Sequence, residues 1–302
     1  MKKRILLLVV APTAISLCAA PALALPPIGP PRALLKAGQW AADTEYSYDE
    51  MDLRSCGTCD WAYSWTLSEP GVPDRSGSDS WTDFRRFNID NLRSHMILGS
   101  LAYGLCDNWD VHARLGVADA KATVAGGNFN GGFGVAYGFG MRGTLCETGN
   151  VTWGTAVQAT WATPGSDTVT ISETLTVDVD GVDQQVTAPL SGNMQLKWRE
   201  VQVVIGPTWN MEALWAYGGL LLHFVNGELD WSGAYSATDE VDGTTTTFSA
   251  STRCAHDVRE RSDVGGYAGL MWQVMANTNV YVEGQFTGTD WGVSFGGYWA
   301  TP

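Results

Sequence analysis

From Gly38 onward the dominant spacing of hydrophobic side chains in this sequence is every second position, a spacing that builds strands and no helix. In 109–117, Trp109, Val111, Ala113, Leu115 and Val117 alternate with Asp110, His112, Arg114 and Gly116. In 133–141, Phe133, Val135, Tyr137, Phe139 and Met141 alternate with Gly134, Ala136, Gly138 and Gly140. The same division separates Val280, Val282 and Phe286 from Tyr281, Glu283 and Gln285, and Trp40, Ala42, Tyr46 and Tyr48 from Gln39, Asp43, Glu45 and Ser47. One face of each strand is apolar and the other is polar or small. In a soluble sandwich the apolar face points inward. In a membrane barrel it points to lipid and the polar face lines the lumen.

Three features favour the second arrangement. The connections alternate in length: 106–108, 147–150, 209–211 and 276–279 are short, whereas 49–90, 164–194 and 226–262 are long and polar, with a shorter stretch at 121–131. The polar faces are crowded with Gly and Ala, which suits a narrow interior. Trp40, Trp109, Trp153, Trp161, Trp209, Trp291 and Trp299 stand at strand ends, where interfacial girdles belong. The expected fold is therefore all-β: a closed up-and-down antiparallel transmembrane β-barrel with short periplasmic turns and long extracellular loops. The strands fall at about 39–48, 92–105, 109–120, 132–146, 151–163, 195–208, 212–225, 263–275, 280–287 and 291–300. That is ten, with twelve as the alternative. Asp180-Gly181 and Asp242-Gly243, set between alternating runs, mark hairpins that project beyond the membrane, and 54–86 has room for another.

Composition removes other classes. Only 17% of residues are charged, against about 25% in ordinary soluble domains. No segment after residue 25 has the roughly 18 uninterrupted apolar residues of a membrane-spanning helix. The formal charge of −14 lacks the basic face that nucleic-acid binding needs. Lys2-Lys3-Arg4, the apolar run from Ile5 and the Ala22-Leu23-Ala24 cleavage pattern read as a signal peptide over 1–24. Removing those three cations takes the charge from −14 to −17. Residues 25–37, with Pro26, Pro27, Pro30 and Pro31, read as an extended periplasmic leader, and 38–302 as the barrel domain.

Leu98-Gly-Ser-Leu-Ala-Tyr-Gly-Leu-Cys-Asp-Asn-Trp-Asp-Val111 resembles the periplasmic hairpins of bacterial outer-membrane β-barrel proteins. The stretch Leu35 to Leu53, with Gln39-Trp40 and Glu45-Tyr-Ser-Tyr-Asp-Glu-Met-Asp-Leu53, is similar to the first strand of such barrels. The resemblance implies an integral protein of the bacterial outer membrane. Its partners would be outer-membrane lipid, lipopolysaccharide and the barrel-assembly machinery. Such barrels usually finish on an aromatic residue, whereas here Trp299 is followed by Ala300-Thr-Pro302. Among barrel enzymes, the omptin proteases resemble the chain in length and strand number. Asp110 and His112, however, share a face at the periplasmic end, the wrong rim for that chemistry. His95 has lipid-facing parity, His256-Asp257 sits in a long stretch beside no evident partner, and no Ser–His pair stands out on an outer face.

Strand parity turns Asp43, Glu45, Asp110, His112, Arg114, Arg142, Gln158, Glu200, Gln202, His223, Glu283 and Gln285 toward the lumen. An ion-pair network filling the interior is the favoured reading, and a selectivity lining for small solutes is the other. The expected role is structural or porin-like, without enzymatic activity, cofactor or metal, and the alternative is a barrel enzyme of the omptin or lipid-hydrolase type. Asp178-Val-Asp180-Gly181-Val-Asp183 lacks the glycine and glutamate placement of an EF-hand and reads as the hairpin turn. Five cysteines follow the signal segment. Cys56-Gly-Thr-Cys59 has CxxC spacing but no second metal pair. Cys106 and Cys146, both beside short turns, are expected to bond to each other or to remain unpaired small residues, and Cys254 to bond to Cys56 or Cys59.

Overall fold

A computed structural model of the chain describes residues 26–179, 181–260, 263–288 and 290–302. The expected signal peptide and Asp180 lie outside the described residues. The strands are β1 (Trp40–Ser68), β2 (Arg75–Cys106), β3 (Trp109–Val124), β4 (Gly127–Thr148), β5 (Val151–Thr163), β6 (Asp167–Val179), β7 (Val182–Met211), β8 (Leu214–Val241), β9 (Thr244–Glu260), β10 (Val264–Met275), β11 (Thr278–Thr287) and β12 (Trp291–Ala300). All neighbours pair antiparallel. Leaving out β6 and β9, ten strands hydrogen-bond in sequence order and the β12–β1 pairing closes the ring. Closure satisfies every strand edge, which a bilayer core demands because it offers no water to do so.

The outer surface of this ring is apolar on every side. Leu101, Leu115, Val135, Phe139, Val157, Ile205, Leu220, Leu270, Val282 and Phe295 are all exposed on it. Trp40, Trp153, Trp209 and Trp299 mark the periplasmic margin, and Trp161 stacks on Tyr137 at the opposite margin with ring centroids 5.5 Å apart. Trp291 departs from the expected girdle and packs against an interior cluster.

The long polar stretches are not loops. β1, β2, β7 and β8 run for 29, 32, 30 and 28 residues, whereas a membrane crossing takes about 9–11. Their upper parts, with β6 and β9, form a tower beyond the membrane. β1 leaves β12 after Glu50↔Trp291, passes a bulge between Met51 and Leu53, and takes β9 as its neighbour from Leu53↔Glu260. β8 exchanges β10 for β9 between Leu222 and Asn226. At this shoulder, where β10, β11 and β12 end, the ring loses strands and narrows. Fewer strands mean an interior that side chains fill.

The faces also exchange character there. Along β7, outward Val203 and Val201 give way to Arg199 and Lys197, while inward Gln202 and Glu200 give way to Trp198, Leu196 and Met194. The tower is thus built like a soluble protein, on a core of Leu53, Trp61, Ile89, Leu92, Val124, Leu190 and Leu229 among others. Side chains tie β6 to the strands across from it: Arg85 of β2 pairs with Glu173 at 2.9 Å, and the indole of Trp65 on β1 donates to the Asp178 carbonyl at 3.0 Å.

Candidate functional site

The lumen below the shoulder is occupied. Residues 26–37 are not a leader outside the barrel but a plug inside it, running upward from the periplasmic rim. At the rim, Gly38 donates to the Gly104 carbonyl at 2.8 Å, and the Gly104 amide donates to Gln39 at 2.9 Å. Higher up, the Ala33 amide donates to Thr144 Oγ1 at 3.2 Å, and that of Leu34 to Asp110 Oδ2 at 2.7 Å. The Ile28 and Gly29 amides donate to the two oxygens of Glu283 at 2.9 and 2.8 Å. At the top, the Pro26 carbonyl accepts from Gln158 and Gln285, both at 3.1 Å, and the Pro27 carbonyl from Arg114 at 2.9 Å.

Proline suits this role. It has no N–H to satisfy and is fixed in an extended conformation, so Pro26 and Pro27 present only acceptors to the lumen's donors. The plug also has apolar footing. Ile28 is buried among Ala156, Val204, Tyr217, Leu221, Tyr267, Met271 and Tyr281, and Leu35 among Ala41, Ala102 and Tyr298. Two luminal glycines make room for it: a Cβ on Gly154 would stand 1.7 Å from the Pro31 carbonyl oxygen, and one on Gly104 2.0 Å from that of Lys36.

The residues assigned to the lumen by parity all face inward. Glu45, Asp110, His112, Arg114, Arg142, Gln158, Glu200, Gln202, His223, Glu283 and Gln285 are buried, and Asp43 is half-buried. Most join one network with the plug. Arg142 pairs with Asp110 at 2.9 Å and Arg114 with Glu45 at 3.3 Å. Arg114 donates to Gln158, Gln158 to Gln202, Gln202 to Gln285 at 3.2 Å and Gln285 to Glu283 at 2.6 Å. His112 stands apart from these bonds, its ring over Gly140. A cavity of about 20 Å³ beside His112, Arg114, Asp43 and Tyr281 has room for one water. Glu200 and His223 belong to a second group at the shoulder, with Glu260 and Asp290.

The residues weighed for catalysis are dispersed. His95 faces outward and contacts the Tyr46 hydroxyl at 2.7 Å. His256 does have partners: Ser55 Oγ at 3.3 Å and Cys59 Sγ at 3.4 Å. The pair is sealed in the tower core, with the Phe87 ring tilted against the imidazole at 4.4 Å between centroids. Burial, and then the nearby Arg85 charge, lower the His256 pKa and hold the ring neutral. Asp257, its sequence neighbour, faces away from it into solvent, as alternation in a strand requires. Asp178 accepts from the Gly181 amide at 2.6 Å in the β6–β7 turn.

The cysteines correct one expectation and sharpen another. Cys59 bonds to Cys254, directly opposite it on β9. Cys56 is free because a strand turns positions three apart to opposite faces. Cys106 and Cys146 are free and exposed, and no bond joins them. Their strands, β2 and β4, are separated by β3, which puts them about two strand spacings of ~4.8 Å apart, beyond the ~7 Å limit for a disulfide.

A closed antiparallel ring with a continuous outward apolar belt, aromatic margins and short turns at one end is the architecture of a membrane-spanning β-barrel. No protein-family model matches the chain, and no curated protein is similar to it. Among solved structures it is similar to the outer-membrane protease OmpT of Escherichia coli, with 11% identity over 87% of this chain and 97% of that one and a TM-score of 0.40. It is similar to the translocator domain of autotransporter NalP from Neisseria meningitidis, with 11% identity over 82% and 88% of the two chains and a TM-score of 0.33. The toluene transporter TbuX of Ralstonia pickettii matches at 10% identity over 89% and 90%, with a TM-score of 0.32.

Proposed function

We propose that the protein is a structural, non-conducting and non-enzymatic barrel that holds a rigid tower above the outer membrane. The occupied lumen carries this reading. A plug bonded through its backbone to Glu283, Asp110, Gln158 and Arg114 fills the lower half, and the apolar core of the tower caps the upper half. Porin-like passage of small solutes would need the plug to leave. Against hydrolase chemistry stands the burial of Ser55 and His256, which puts the Ser–His contact out of a substrate's reach. Lipopolysaccharide fits as the lipid partner: Lys197, Arg199 and Arg259, with Glu228 and Asp257 between them, line an outer groove beside Tyr137 and Trp161, and such cations attract lipid phosphates.

Planar-bilayer recordings test the role. The full-length protein is expected to be silent, and a variant lacking residues 26–35 to pass ohmic current. Steady conductance through the intact protein would overturn the structural reading, and cleavage of peptide or lipid substrates would overturn its non-enzymatic part.

A further inference from the structure

The plug is buried most deeply at the end where it begins. Lys36, Ala37 and Gly38 are exposed at the periplasmic rim, whereas every residue from Pro26 to Pro31 is buried. The register of β5 on β7 orders the inward side chains above the plug tip into layers. Gln158, which donates to the Pro26 carbonyl at 3.1 Å, lies opposite Gln202. Thr160 opposite Glu200 comes next, and then Ala162 opposite Trp198. All six are buried. From Ala162 and Trp198 upward the interior is apolar, for both belong to the tower core with Met51 and Leu92. A strand rises about 3.3 Å per residue, so Gln158 to Ala162 spans about 13 Å. One polar layer separates the plug tip from an apolar ceiling.

The tip therefore lies in a blind end. The closed ring walls it in, the tower core closes it above, and the rest of the plug fills the way back to the rim. With about 3.8 Å between successive Cα atoms, the polar layer has room for one or two residues ahead of Pro26. Residues 1–24 do not fit there: even as a compact helix they need about 36 Å. Nor does the lumen admit the chain as a loop, with two segments side by side. A single Cβ on Gly104 or Gly154 would already strike the one plug backbone that passes them.

We propose that the plug seats only on a newly cut chain end, which makes proteolytic processing the step that closes the lumen. A signal peptidase of the export route hydrolyses the Ala24–Leu25 bond: water gives its hydroxyl to the Ala24 carbonyl carbon and a proton to the Leu25 nitrogen. Leu25, itself outside the described residues, becomes the amino terminus. The new end enters from the periplasmic side ahead of Pro26 and comes to rest in the layer of Thr160 and Glu200, whose hydroxyl and carboxylate accept its N–H groups. The direction suits such an entry, since the free end leads while Gly38 stays tied to Gly104 at the rim. The inference rests on the plugged lumen of the structural reading and adds the condition under which the plug forms.

The test uses the exported protein, extracted into detergent micelles. Its intact mass should give a chain that begins at Leu25. The α-amine, read in the N-terminal peptide, should react with N-hydroxysuccinimidyl acetate at least tenfold more slowly in micelles than after unfolding. Inserting Gly-Ser-Gly-Ser-Gly-Ser between Leu25 and Pro26 should keep the heat-modifiable gel shift of the barrel, yet speed amide exchange at Ile28 and Gly29 at least tenfold. The same six residues added after Pro302 should change neither. An α-amine as reactive in micelles as in the unfolded chain would overturn the proposal. So would undiminished protection of Ile28 and Gly29 in the extended protein, or in a refolded chain that keeps residues 1–24. A silent protein with a reactive terminus would sink this inference alone, and a conducting one with a protected terminus only the structural reading.

Discussion

Glu283→Ala isolates the plug from the barrel around it. Glu283 accepts the Ile28 amide at 2.9 Å, the Gly29 amide at 2.8 Å and the Gln285 side chain at 2.6 Å, and it is buried. Removing it takes the acceptor away from two buried plug amides. A hydrogen bond to such a group is worth about 1.5 kcal/mol or more, so the plug should loosen by about 3 kcal/mol or more. At about 1.4 kcal/mol per factor of ten, that is on the order of a hundredfold. The strand ladder of β11 is backbone to backbone and should be untouched. Amide hydrogen exchange in detergent micelles reads the effect directly. Ile28 and Gly29 should exchange on the order of a hundred times faster in the variant, while Val280 and Val282 keep their protection. Glu283→Gln keeps one acceptor oxygen and should show about half the effect in free energy. Unchanged protection of Ile28 and Gly29 in Glu283→Ala would refute the bonding of the plug. Equal acceleration across β11 would mean that the plug and the barrel wall do not separate.

Three further outcomes are expected. Leu115→Arg or Val135→Arg should cost about 2–4 kcal/mol of folding stability in lipid vesicles, because those residues are 67% and 57% exposed on the outer face of the ring; tolerance equal to that of Thr245→Arg in the tower would reverse the facing. Non-reducing peptide mapping should recover Cys59 joined to Cys254 and leave Cys56, Cys106 and Cys146 open to maleimide, and Cys254→Ala should lower tower stability by about 2–4 kcal/mol. His256 has a folded pKa below its unfolded value of about 6.5, so its stabilising share is complete above that pH and lost as pH falls below it; Trp fluorescence should show a tower that weakens from pH 6.5 to 5, with a shallower slope in His256→Gln.

The membrane ring was legible because lipid enforces strict alternation. β5 and β12 fall where the periodicity puts them, and the inward set from Asp43 to Gln285 follows from parity alone. Parity also survives a change of environment, but its meaning does not. Beyond Glu200 the inward positions of β7 turn apolar and the outward ones charged, and such strands read as polar loop when judged by the membrane rule. Long stretches such as 49–90 therefore read as loops in the sequence, and only the Asp-Gly turns mark the strands beside them. Asp242 and Gly243, with φ of 52° and 79°, close β8 onto β9, the geometry of a type I′ hairpin turn.

The plug left no periodic trace because a segment without strand partners has no reason to alternate. Its signal lay in the host. Gly104 and Gly154 face inward where any Cβ would strike the plug backbone, and the lumen carries more amide and guanidinium donors than its own carboxylates engage. Arg114 divides its bonds among Glu45, Gln158 and Pro27. Gln158 reaches Pro26 while also donating to Gln202. A lumen filled only by its own side chains would close such donors onto one another. This one holds them open to carbonyls that enter from below, and proline supplies those carbonyls without adding N–H groups that would themselves need acceptors.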